Sequence, residues 1–88
     1  MVGVTERAAK ELKSKLDGQT TDPEQGLRLL PTPERKFVLV VDYELSGDRV
    51  VEYEGRKVLL VGIEYYRALE GRTIDCHDTQ KGPVLFMR

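Results

Sequence analysis

Across 88 residues there is one cysteine, one histidine, no tryptophan and no asparagine, and charge of neither sign predominates. Each scarcity excludes something. A lone thiol, Cys76, can neither close an intramolecular disulfide nor supply a zinc site built from two cysteine pairs. Lys and Arg number 14 against 15 Asp and Glu, a net charge of −1, so the chain carries no general field for a nucleic acid or an anionic membrane surface. The longest unbroken apolar runs, residues 37–41 and 58–61, fall far short of the ~20 residues that span a bilayer. Met1-Val2-Gly3-Val4-Thr5-Glu6-Arg7 turns charged at once, unlike a signal peptide, which makes the cytoplasm the expected location. Gly47, Gly55, Gly62 and Gly71 stand too far apart for a dinucleotide-binding or phosphate loop. The missing asparagine beside 33 % charged residues is a lean toward thermophilic composition.

What is present describes a soluble globular chain: 40 % hydrophobic residues and 10.0 kDa. A chain of that mass folds to a surface of roughly 5,200 Å² from roughly 14,500 Å² unfolded. That supports one domain over residues 1–88 with one thin core, and leaves no second lobe to form an interdomain cleft.

The opening segment has helical spacing, with Ala8, Ala9, Leu12 and Leu16 on one side and Lys10, Glu11, Lys13 and Lys15 on the other. Thr5 is the expected N-cap. Glu6–Lys10 and Glu11–Lys15 are i,i+4 pairs in the better orientation, each contributing about 0.2–0.5 kcal/mol. Gly18 suits the stop, and the polar stretch 17–25 reads as a loop.

Strand patterns follow. Gly26-Leu27-Arg28-Leu29-Leu30 alternates, and Pro31-Thr32-Pro33 is expected to break it because proline donates nothing to a ladder. Residues 37–43 are β-branched and nearly continuous, which predicts a central strand covered on both faces. Residues 46–49 have turn chemistry, and 50–53 with 57–61 read as a hairpin about Gly55. Residues 63–70 shift to helical spacing, with Ile63, Tyr66 and Leu69 or Ala68 facing inward and Gly71 closing the helix. Residues 73–77 and 83–87 predict two last strands joined by the turn 78–82. The fold class is therefore α+β and strand-rich, with an N-terminal helix and a short helix near 63–70.

Asp75-Cys76-His77-Asp78 is the one cluster of metal-type ligands. On a strand, Asp75 and His77 share one side while Cys76 and Asp78 share the other, so they cannot wrap one ion within a monomer. The same divergence removes a Cys76–His77 nucleophilic dyad. Cys76 is expected to be a small core residue beside Ile74. Glu52 and Glu54 flank a turn, where solvation is the expected state. Arg35-Lys36 and Arg56-Lys57 are balanced by Glu34, Glu52 and Glu54 and form no stripe. Tyr43, Tyr53, Tyr65 and Tyr66 are expected to be half-buried, not a stacking platform.

The order of segments resembles a known family. Val4-Thr5-Glu6-Arg7-Ala8-Ala9 leading into a helix, then Gly26-Leu27-Arg28-Leu29, is similar to the opening of the HesB/IscA family, the A-type iron–sulfur cluster biogenesis domain. The hairpin at Gly55, the strand 58–61, Ala68-Leu69-Glu70-Gly71, Thr73-Ile74-Asp75, and Gly82 followed by Phe86 continue the likeness across almost the whole chain. It implies a HesB-like domain of mixed β-sheets, barrel-like or sandwich-like. Family carriers hold iron or a cluster through three cysteines, one after the Gly-Leu-Arg-Leu segment and a Cys-Gly-Cys pair near the C-terminus. Here the first region reads Pro31-Thr32-Pro33-Glu34-Arg35-Lys36, and the sequence reaches Met87-Arg88 where the family continues to its paired cysteines. The family's aspartate before the short helix falls near Gly62 and its following serine near Tyr65. Cys76 stands where the family is usually aromatic and inherits no ligand role.

The resemblance thus implies a degenerate, non-catalytic binding or assembly module related to iron–sulfur cluster biogenesis. It carries no catalytic, cofactor-binding or metal residues and no cofactor of its own. Its expected partners are a second copy of itself or iron–sulfur assembly proteins, with no nucleic acid and no membrane. Two other readings stand beside it: a dimeric metal or cluster carrier using Cys76 and His77, and a small-ligand binder with a pocket lined by Tyr43, Tyr65 or His77.

Overall fold

The computed structural model describes residues 2–88. A two-residue strand β1 (Gly3–Val4) leads into helix α1 (Glu6–Asp17). Thr5 caps the helix as its sequence predicts, Oγ1 accepting from the Ala8 N–H at 3.1 Å. Ala8, Ala9, Leu12 and Leu16 are all buried, so the helix is held by one apolar face. Then come β2 (Gln25–Thr32), β3 (Lys36–Tyr43), β4 (Arg49–Tyr53), β5 (Arg56–Val61), β6 (Thr73–Thr79) and β7 (Gly82–Met87). They form a four-stranded sheet in the order β3-β2-β5-β4 and a three-stranded sheet in the order β1-β6-β7. Both are mixed: β2 runs parallel to β5, and β1 parallel to β6, while the remaining neighbours are antiparallel. The core lies where α1 meets both sheets and is centred on Leu12, Leu16, Leu27, Leu29, Leu59 and Ile74, each fully buried. No helix among the described residues is long and apolar enough to cross a membrane.

Two glycines have positional reasons. The β4–β5 hairpin turns on Glu54 (φ 50°) and Gly55 (φ 77°), the pair of left-handed residues that a two-residue hairpin of matching twist requires. At Gly26 a Cβ would lie 2.8 Å from the Lys57 carbonyl oxygen, so β2 and β5 approach this closely only because that residue has no side chain.

Three expectations are corrected. β3 is an edge strand, not a central one: Val38 and Val40 are exposed, and inward Phe37, Leu39 and Val41 are only half-buried. The strand covered on both faces is β5, where Val58, Leu59, Leu60 and Val61 are all buried. The two runs read alike, but β2 pairs with β3 on one side and β5 on the other, and β5 also pairs with β4. Second, Pro31 does not break its strand but pairs with Phe37 inside it. The β2–β5 register covers only Leu27 and Arg28, so Pro31 lies beyond that pairing, where a missing N–H leaves no bond unmade. Pro33–Arg35 then form a 3-10 turn that closes the β2–β3 hairpin.

Third, residues 63–70 do not form an α-helix. Ile63–Tyr65 is a 3-10 turn followed by further turns, with one helix-type bond from the Leu69 N–H to the Tyr65 carbonyl. Gly62 offers no capping side chain, and the apolar spacing of three from Ile63 to Tyr66 to Leu69 fits the tighter winding. Leu69 is buried as expected, whereas Ile63 is exposed and packs beside Gly47. Gly71, at φ 77°, ends the segment.

Candidate functional site

The segment Asp75–Asp78 lies on β6, and strand alternation disposes its side chains as the sequence implies. Ile74 and Cys76 enter the core, Cys76 at 5 % exposure. Burial pushes the Cys76 thiol above its ordinary pKa, which keeps it protonated and unreactive at neutral pH. It forms part of the wall of a recess between α1 and β7, with Arg7, Lys10, Glu11, Ser14 and Pro83. His77 points the other way, exposed, its ring 4.8 Å from that of Phe86 on β7. Asp75 Oδ1 accepts from the Cys76 N–H at 2.8 Å and from Thr5 Oγ1 at 2.9 Å, and its other oxygen accepts from Arg88 Nε at 3.2 Å. These bonds, the backbone one foremost, hold its carboxyl below the usual range. Asp78 pairs with Arg7.

Asp75 therefore works as a strut between β6 and the start of α1, with Thr5 serving both the helix cap and the carboxylate. Replacing Thr5 by alanine is expected to cost about 1–2 kcal/mol in urea unfolding, with serine restoring most of it. An unchanged midpoint for the alanine variant would remove this role.

Cys76 and His77 are not brought together, and among the described residues no group of three or more His, Cys, Asp or Glu side chains could hold a metal ion. Nor do Tyr43 and His77 share a pocket, since one lies on β3 and the other on β6, in separate sheets. Tyr43 is exposed, not half-buried as expected, because it sits at the outer end of an edge strand. Its hydroxyl donates to Asp22 Oδ2 at 3.0 Å, and that carboxylate raises its pKa. It borders a shallow hollow with Glu24, Leu45 and Lys57, where Lys57 pairs with Glu24 and Glu44 at 3.3 Å each. Arg56 is likewise structural, bonding Asp17 and the carbonyls of Thr20 and Asp22 to hold down the loop after α1.

A smaller cavity of about 230 Å³ is lined by Val2, Arg49, Val61, Tyr66, Leu69 and Glu70. The Tyr66 hydroxyl is the one buried side-chain polar atom without a partner among the described residues, and the Arg49 guanidinium lies 4.9 Å over its ring. The space is below the roughly 300–1,000 Å³ of typical ligand pockets.

The strongest polar constellation is one that the sequence reading passed over. Arg28, 7 % exposed in the middle of β2, donates from Nε to Asp42 (2.7 Å), from both terminal nitrogens to Asp48 (3.1 and 2.7 Å), and to the Tyr43 carbonyl (3.0 Å). Asp48 also accepts from the Leu45 N–H at 2.7 Å. The guanidinium holds both carboxyls below their usual range, and they raise its own pKa in return. The available signal was an arginine among Leu27, Leu29 and Leu30, with acidic residues before and after the turn that follows β3. Its geometry, with four of the five guanidinium N–H donors engaged, fastens the loop 44–48 onto the sheet.

Iron–sulfur clusters are held by thiolates. The residues present do not fit one: the single thiol is buried, and the hairpin 31–36 contains none.

No protein-family model matches the chain, and no curated protein matches it. Solved structures do. The fold is similar to that of Escherichia coli SufA, a protein involved in biosynthesis of iron–sulfur clusters, with a TM-score of 0.72 and 21 % identity over 99 % of this chain and 83 % of that one. It is similar to IscA with the [2Fe-2S] cluster, at TM-score 0.65 and 16 % identity over 100 % and 84 %. A protein from Aquifex aeolicus matches at TM-score 0.69 and 23 % identity over 99 % and 89 %. The chain has the HesB/IscA-like fold, a strand-rich α+β arrangement, as the order of its motifs implied.

Proposed function

We propose that this chain is a non-catalytic module of iron–sulfur cluster assembly, one that binds other assembly proteins or a second copy of itself and holds no cluster of its own. The observation that carries the reading is a contrast within one fold. The architecture is that of SufA and of cluster-bearing IscA, whereas the only thiol here is turned into the core and its neighbouring histidine faces away. Two further features support it. The β2–β3 hairpin, where the family resemblance places the first ligand, carries prolines and charge instead of sulfur. The acidic and basic side chains that do cluster are engaged with one another, which weighs against acid–base work by them.

Anaerobic incubation with ferrous iron and sulfide, followed by desalting, tests the reading. The expected result is no retained visible absorbance, and the same for Cys76→Ala. Mixed with a cluster-loaded carrier of this fold, the chain is expected to form a complex while the cluster spectrum stays with the carrier. A stoichiometric cluster on this chain, lost on Cys76→Ala, would overturn the proposal.

A further inference from the structure

The open edge of β3 carries one more inference, which deepens the self-association named above and rests on that part of the reading. β3 ends the four-stranded sheet, and its register with β2 runs unbroken from Lys36 to Tyr43. Edge strands are usually blunted by charge, proline or a bulge; residues 37–41 have none of these, and Val38 and Val40 are 50 % and 41 % exposed. Pro31 stands opposite Phe37. Because proline has no N–H, the narrow antiparallel pair without hydrogen bonds is the one that fits there. By alternation, the backbone N–H and C=O groups of Phe37, Leu39 and Val41 then point away from β2, into the open edge. Tyr43 closes that stretch, its N–H donating to Asp42 Oδ1 at 2.8 Å and its carbonyl accepting from Arg28.

We infer that β3 pairs antiparallel with β3 of a second copy, joining two four-stranded sheets about a two-fold axis. Residues opposed across such an axis must share a sheet face, so either Leu39 or Val40 meets its own counterpart. Charge selects Leu39. That register sets Val38 against the partner subunit's Val40, Phe37 against the partner subunit's Val41, and exposed Lys36 against the partner subunit's Asp42, every contact made twice. The Asp42 side chain is 40 % exposed; one oxygen accepts from Arg28 and the other from the Tyr43 N–H, and each has a second lone pair for a lysine. Centring on Val40 would set valine against Asp42, and Lys36 against Glu44, which lies beyond the end of β3. A strand that opens on lysine and closes on aspartate, with valines between, is complementary to its own reverse.

Sedimentation of the full chain over a concentration series is expected to give a reversible dimer. Val38→Lys/Val40→Lys sets lysines opposite one another and is expected to raise the dissociation constant about tenfold or more. Lys36→Glu, at an exposed site, is expected to raise it several-fold without moving the melting temperature at dilution, which keeps the test decisive if the double variant folds poorly. In the wild-type chain, amide exchange at Leu39 and Val41 should slow as concentration rises. A dimer indifferent to both variants, with no slowing at these amides, would overturn this surface while leaving self-association standing. A monomer at every concentration would overturn both.

Discussion

Arg28→Met is expected to destabilise the chain by about 3–5 kcal/mol near neutral pH. Methionine keeps much of the stem's bulk but removes every donor, leaving the Asp48 carboxylate, with its side chain 2 % exposed, facing only the Leu45 N–H. An uncompensated buried charge is costly, whereas the intact pair roughly offsets its own desolvation. The pH dependence has a definite sign. In the wild-type chain the Asp48 and Asp42 carboxyls titrate below their usual range. Their contribution is therefore complete above roughly pH 4 and is lost as pH falls through the lowered folded-state values. In the variant, protonation of Asp48 relieves the unpaired charge, so the gap between the two proteins narrows on acidification. Urea unfolding at neutral and acid pH measures this. Arg28→Met/Asp48→Asn should recover part of the loss, because the stranded charge is then gone. Equal midpoints for wild type and Arg28→Met at neutral pH would show that the cluster contributes nothing.

Leu59→Ala is expected to cost about 2–5 kcal/mol, and Val40→Ala less than about 1 kcal/mol when measured at high dilution. Leu59 is fully buried on β5, which has a neighbour on each side, while Val40 is 41 % exposed on an edge strand. Truncating the leucine leaves a cavity that surrounding strands cannot close, whereas truncating the valine removes surface that already meets water. The comparison discriminates between topologies, since a central β3 would make Val40 the more costly site. Comparable losses at the two positions would contradict the observed strand order.

Much of the local structure was legible because it is decided within a few residues. The Thr5 cap, the apolar face of α1, the Glu54–Gly55 turn and the outward and inward alternation of Asp75, Cys76 and His77 all follow from nearest-neighbour geometry. The alternation set Cys76 and His77 on opposite sides of β6 from sequence alone, and the family likeness rested on the order of such segments. Arg28 was not legible. Its partners are 14 and 20 residues away, and nothing between them indicates that the loop 44–48 returns over β2. The short segment after Gly62 misled because its apolar spacing of three suits either a helix or a tighter turn.

By itself, then, the sequence determined the kind of elements, their order, and that the chain has a single thiol. Only the tertiary structure decided which of two similar apolar strands is enclosed, where Pro31 is tolerated, and how the Arg28 charge is compensated. The physical reason is range. Caps, turns and alternation are set by backbone sterics and bonds over three or four residues, whereas burial depends on which strands pair. That pairing is settled by hydrophobic contact among segments far apart in the chain, a force without direction or sequence address.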